Sequence, residues 1–116
     1  MIKKQYGDVM MVGQSGNKYR FGTWPLGTRF RPVPAVYFVS KRFVQETTFR
    51  RARHEVIFIG ETENMSEVPG AHVETRDFEK FGANCICLFA NEDKDVRMDI
   101  VRDLVLSNRP LMRQMA

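Results

Sequence analysis

Residues 35–40 read AVYFVS and residues 55–60 read EVIFIG. Both runs are short and rich in β-branched and aromatic residues, so both are expected to be buried strands. Residues 41–54 between them are basic and poorly periodic, which reads as the loop of a hairpin. Upstream, residues 9–12 are apolar, QSGN at 14–17 is a turn, and residues 18–24 place Tyr19, Phe21 and Thr23 on one face, a second hairpin. Pro25, Gly27, Pro32 and Pro34 make the connecting stretch a loop. Downstream, Thr62 is expected to cap a short helix through Met65, stopped by Pro69 and Gly70. A second short helix is expected at 75–81, ended by Gly82, followed by a third strand at 83–90 (ANCICLFA). Asn91 is expected to cap the last helix, whose apolar stripe is Val96, Ile100, Val101, Leu104 and Val105.

The expected fold is therefore α+β, a small and mainly antiparallel sheet of three core strands plus the N-terminal hairpin, flanked by helices. One domain is expected over residues 1–116, with 1–34 as hairpin extension and loop and 35–110 as core. A chain of 116 residues, 43% apolar and 28% charged, has room for one core. No apolar run approaches the roughly 20 residues of a membrane span, so no membrane partner is expected. Lys3 and Lys4 have no apolar segment behind them, so no secretory signal is read. The two cysteines, Cys85 and Cys87, are too close in sequence to staple a fold, and a reduced, cytoplasmic protein is expected.

Charge is divided along the chain. Residues 1–53 carry eleven Lys/Arg against two acids, and residues 54–116 carry seven against twelve. Such polarity can build a basic face for phosphates. The densest basic stretch is Arg50, Arg51 and Arg53, with Lys41 and Arg42 at the other end of the same loop. Phe43 and Phe49 lie between them, where they can stack on bases or pack back on the sheet.

Val36-Tyr37-Phe38, then Phe58-Ile59-Gly60 about twenty residues later, then Glu61-Thr62-Glu63-Asn64-Met65, resembles the GIY-YIG nuclease superfamily. Its paired strands end in those tripeptides and run into a helix through a stretch like G-x-T-x-N-L. The resemblance covers residues 35–110 and implies the same order of strands and helices. It also implies a site in which the first-motif tyrosine, here Tyr37, helps activate water at a phosphodiester. In that site an arginine neutralises the phosphate, and a glutamate holds one divalent metal. Phe58, Gly60, Thr62 and Asn64 fall on the motif scaffold, and His72 matches a family histidine. The arginine position is Val68 and the glutamate position is Val101, so the two charged groups of the chemistry are replaced by aliphatics.

The resemblance thus implies a scaffold that has lost hydrolysis, and the charge pattern adds the expectation that it binds DNA or RNA through Lys41, Arg42, Arg50, Arg51 and Arg53. The first alternative is an active endonuclease using Tyr37 and His72 with Mg²⁺ or Mn²⁺; otherwise no cofactor is expected. The second is an interaction module, a homodimer or the binder of an acidic protein, without nucleic acid. Cys85 and Cys87 share a strand face, but the only histidines are His54 and His72, so the thiols read as small core residues and no metal site is expected.

Overall fold

The computed structural model describes residues 6–44, 52–68 and 75–112. Five strands form one antiparallel sheet: β1 (Asp8–Val12), β2 (Lys18–Pro25), β3 (Ala35–Val44), β4 (Ala52–Thr62) and β5 (Cys85–Ala90), in the order β1-β2-β5-β3-β4. The N-terminal hairpin is not an appendage to a three-stranded core. Gly22, Thr23 and Trp24 pair with Leu88, Cys87 and Ile86, which makes β2 a neighbour of β5 and the sheet continuous. Here sequence-local reading fails, because the β2–β5 pairing joins segments more than sixty residues apart.

The expected hairpin loop is also shorter than its composition suggests. Lys41 to Val44 continue β3 and pair with Ala52 to Glu55 of β4. Backbone pairing carries the ladder into a stretch whose side chains lack apolar alternation, since the hydrogen-bonded ladder is indifferent to side-chain polarity. Arg50 and Arg51 lie outside the described residues.

Side chains alternate across the sheet, so each face carries its own core. On one face Phe21, Val36, Phe38, Ile59, Cys85 and Cys87 pack with Ile100 and Leu104 of helix α2 (Lys94–Asn108). On the other, Ala35, Tyr37, Val39, Ile57 and Ile86 pack with Met65, Val68 and with Phe78 of the short helix α1 (Thr75–Lys80). Phe21, Phe38, Ile57 and Ile59 are fully buried, each a contribution of about 1.5–3 kcal/mol by area.

A β-bulge sets the phase of the two faces. Val39 pairs with Phe58, yet Ser40 pairs with Val56, leaving Ile57 as the extra residue of β4. Beyond it, Val56 and His54 turn to the α2 face, beside Ser40. The outer edge of β4 is partly covered, because Leu111 and Met112 donate to the carbonyls of Val56 and Ile57 at 3.2 and 2.8 Å.

The helix ends follow local chemistry, with two corrections. Asn64, not Thr62, caps the first turn, its side chain accepting from the Ser66 amide; the turn is a single 3₁₀ turn, Met65–Glu67. Asp93, not Asn91, caps α2, accepting from the amides of Asp95 and Val96. Asn91 accepts from the Asp93 amide one step earlier. Gly82 closes α1 with φ +79°, the left-handed conformation expected of it. Pro69 and Gly70 lie outside the described residues. No helix among the described residues is long and apolar enough to cross a membrane.

Candidate functional site

The two motif strands are hydrogen-bonded neighbours, with Val36 opposite Glu61, Tyr37 opposite Gly60 and Phe38 opposite Ile59. Tyr37 is 4% exposed and its ring lies 6.0 Å from that of Phe58, which in turn lies 5.7 Å from that of Phe78. Burial pushes the Tyr37 phenol well above the ordinary tyrosine range, and the charge of Glu61 adds to the shift. A Cβ at Gly60 would stand 2.9 Å from Phe58 Cε2 and 3.0 Å from Tyr37 Oη, so the glycine makes room for the two rings. Val68, which the resemblance would set at the arginine position, belongs to the same apolar cluster as Tyr37. Val101, which the resemblance would set at the glutamate position, packs on the opposite face of the sheet against the cluster of Val36 and Phe38.

Thr62 and Asn64 serve the turn after β4. The Asn64 amide donates to Thr62 Oγ1 at 3.1 Å, and Asn64 Oδ1 accepts from the Ser66 amide at 2.9 Å. Asn64 fixes the first turn by the same chemistry that any N-cap uses. Glu61, beside them, meets a cation the sequence did not announce. Arg97 of α2 is 1% exposed, with Nε 3.5 Å from Glu61 Oε1 and Nη1 donating to the Asn91 carbonyl at 2.9 Å. His72 lies outside the described residues.

The basic residues of the hairpin are distributed over both faces. Lys41 and Phe43 share one face, with Lys41 Nζ 4.9 Å from the Phe43 ring centroid, and Arg53 stands opposite Phe43. Glu55 is the acid in this group, opposite Lys41. Arg42 stands opposite His54, its guanidinium 4.0 Å over the Tyr6 ring. Its backbone is held by Asn84, which accepts from the Arg42 amide at 2.7 Å. Lys41, Arg42 and Arg53 are thereby brought to one end of the sheet, with the exposed Phe43 beside Lys41 and Arg53 on one face and Arg42 on the other.

Beneath that end lies a polar group inside the α2-face core. Cys85 Sγ and Cys87 Sγ are 3.8 Å apart, Cys87 Sγ is 3.7 Å from Thr23 Oγ1, and Ser40 Oγ shares a 2.8 Å hydrogen bond with His54 Nδ1. One ligand atom from each of His54, Cys85 and Cys87 fits within a mutual separation of 4.8 Å. The Cys85 thiol is drawn below its usual range by the hydrogen bond from Cys87 and by His54, while burial pushes Cys87 upward. Thiol spacing on one face was legible from Cys85-x-Cys87. The partner was not, because His54 reaches the thiols across an intervening strand and in a phase set by the bulge.

No family model matches the chain, and no curated protein or solved structure matches it. The class defined by the coordinates is an α+β protein built on a five-stranded antiparallel sheet, with helices on both faces.

Proposed function

We propose that this chain is a GIY-YIG-like scaffold that binds DNA or RNA through the basic end of its β3–β4 hairpin and does not hydrolyse it. The observation that carries the reading is that Lys41 and Arg53 flank the exposed Phe43 ring on one face of the hairpin's end, with Arg42 on the other face of the same end. Cations gathered at one end of a sheet can neutralise phosphates, and an exposed ring beside them offers a face for a base. Arg50 and Arg51, in the same hairpin by sequence, add to its charge.

The scaffold part of the reading is supported by the pairing of VYF with FIG and by the T-x-N turn that follows. Loss of hydrolysis is supported by the surroundings of Tyr37. Its phenol faces Phe58 and shares an apolar cluster with Val68, and burial holds it protonated, which opposes a role in activating water. Position 101 sits across the sheet from it, so a carboxylate there would not converge on the phenol.

The test mixes the chain with a fluorescent oligonucleotide, single- or double-stranded DNA or RNA, at low salt with Mg²⁺. Anisotropy should rise while the probe keeps its length on a denaturing gel. No rise with any probe overturns the binding. Cleavage that Tyr37→Phe abolishes overturns the loss of hydrolysis and establishes the endonuclease alternative.

A further inference from the structure

The described part of the core holds three buried polar or charged residues, Thr23, Ser40 and Arg97. Arg97 stands apart, ion-paired with Glu61 at 3.5 Å without a hydrogen bond through Nε and donating from Nη1 to the Asn91 carbonyl. The other two gather around the thiols: Thr23 Oγ1 beside Cys87, and Ser40 on the His54 ring. Both hydroxyls are hydrogen-bonded, and the imidazole and the two thiols beside them make the one cluster of soft donor atoms in the described part of the core.

We propose that His54, Cys85 and Cys87 form a binding site for one zinc ion. Two sulfurs and an imidazole nitrogen are the donor set of soft and borderline cations rather than of Mg²⁺ or Ca²⁺. The Sγ–Sγ distance of 3.8 Å is the edge of a tetrahedron with metal–sulfur bonds of about 2.3 Å. Strand geometry supplies it without distortion, since residues two apart on β5 point to the same face. The same geometry disfavours a disulfide, because Cα atoms two residues apart on a strand are separated by about 6.6–6.8 Å, at the limit a disulfide spans.

His54 comes from β4, two strands from β5, and reaches across β3 where the residue in between is the small Ser40. The hydroxyl of Ser40 orients the ring through Nδ1, the outer-partner role that metal-bound histidines generally require. Binding Zn²⁺ sends the two thiol protons to solvent and leaves neutral His54, so the ion and two thiolates together carry no net charge into the core. This balance selects zinc over copper(I), which would leave one negative charge. A groove of about 660 Å³, lined by Arg53, His54, Glu55, Asn108 and Arg109, runs past the imidazole and supplies a route of entry. Three protein ligands leave a fourth position, which solvent from the groove can fill.

The test is a titration of the reduced, metal-free chain with Co²⁺ as a spectroscopic probe, followed by Zn²⁺. Thiolate-to-cobalt charge-transfer absorption should appear, with the visible bands of four-coordinate cobalt, saturating at one ion per chain and bleached by Zn²⁺. Cys85→Ser and Cys87→Ser should each lose the charge-transfer absorption or weaken it, and Ser40→Ala should lower affinity by about 10–100-fold. His54→Gln, at a partly exposed position, gives a readout that does not depend on the cysteine variants folding: the visible bands should shift or vanish. Absence of charge-transfer absorption in the wild-type chain overturns the site. Bands unchanged in His54→Gln overturn the ligand set, and a chain that takes Cu⁺ but neither Co²⁺ nor Zn²⁺ overturns the choice of metal.

Discussion

Tyr37 stands opposite Gly60 across the β3–β4 ladder, and its hydroxyl oxygen lies 3.0 Å from where a Cβ on that glycine would be. The first and second motifs therefore interlock through a ring and an absent side chain. Gly60→Ala should destabilise the protein by about 1–3 kcal/mol through overpacking. Urea unfolding measures it, and a double-mutant cycle with Tyr37→Phe should show coupling, since loss of the hydroxyl removes one of three close approaches, the others being Phe58 Cε2 at 2.9 Å and Tyr37 Cζ at 3.1 Å. Additivity of the two changes would detach the glycine from the tyrosine.

Tyr37 also predicts an alkaline limit. Its folded-state pKa is raised by burial and by Glu61, so the folded state holds the phenolic proton more tightly than the unfolded chain. That contribution is complete below about pH 10 and is lost as pH rises further. Stability measured against pH should fall less steeply above pH 10 in Tyr37→Phe than in the wild type. Equal slopes would place the phenol in a more open setting.

The turn between β1 and β2 is pinned to α2 by one carboxylate. Asp103 accepts from the Ser15 amide at 2.8 Å, from Ser15 Oγ at 2.7 Å and from Tyr19 Oη at 2.8 Å. These bonds hold its pKa below the usual carboxylate value, so their stabilisation is present above that value and disappears as pH falls through the depressed one. Asp103→Ala should flatten the acid limb of the stability profile and speed amide exchange at Ser15. An acid limb unchanged by the substitution would remove Asp103 from the account.

Arg97 and Glu61 form a largely desolvated pair whose removal should be asymmetric. Glu61→Ala strands a buried guanidinium and should cost about 3–5 kcal/mol, whereas Glu61→Leu with Arg97→Met should recover most of that loss. Thermal denaturation of the single and double variants distinguishes the two cases. A double variant as unstable as the single would mean that the pair has a role beyond neutralising itself.

The sequence disclosed what is periodic or local. AVYFVS and EVIFIG were legible as strands because both faces of the sheet are covered, so nearly every residue is apolar. The α2 stripe was legible at Ile100 and Leu104 but not at its start, where Arg97 is buried and Val96 is 39% exposed. A paired arginine can occupy a core position that hydropathy assigns to its neighbour. The joining of the N-terminal hairpin to β5 and the meeting of His54 with Cys85 and Cys87 were hidden for a different reason. Both depend on long-range pairing, and the second on a one-residue bulge at Val39 and Ser40. Thr62 and Asn64, read as motif positions, turn out to hold the turn itself together.

The basic end of the hairpin is the centre of the functional proposal, and the salt dependence of oligonucleotide affinity tests it most directly. Affinity should fall steeply and linearly on a log–log plot against salt, and Lys41→Ala and Arg53→Ala should each reduce the slope by about 1. A wild-type affinity that does not change with salt, or slopes that neither substitution alters, would contradict the proposal.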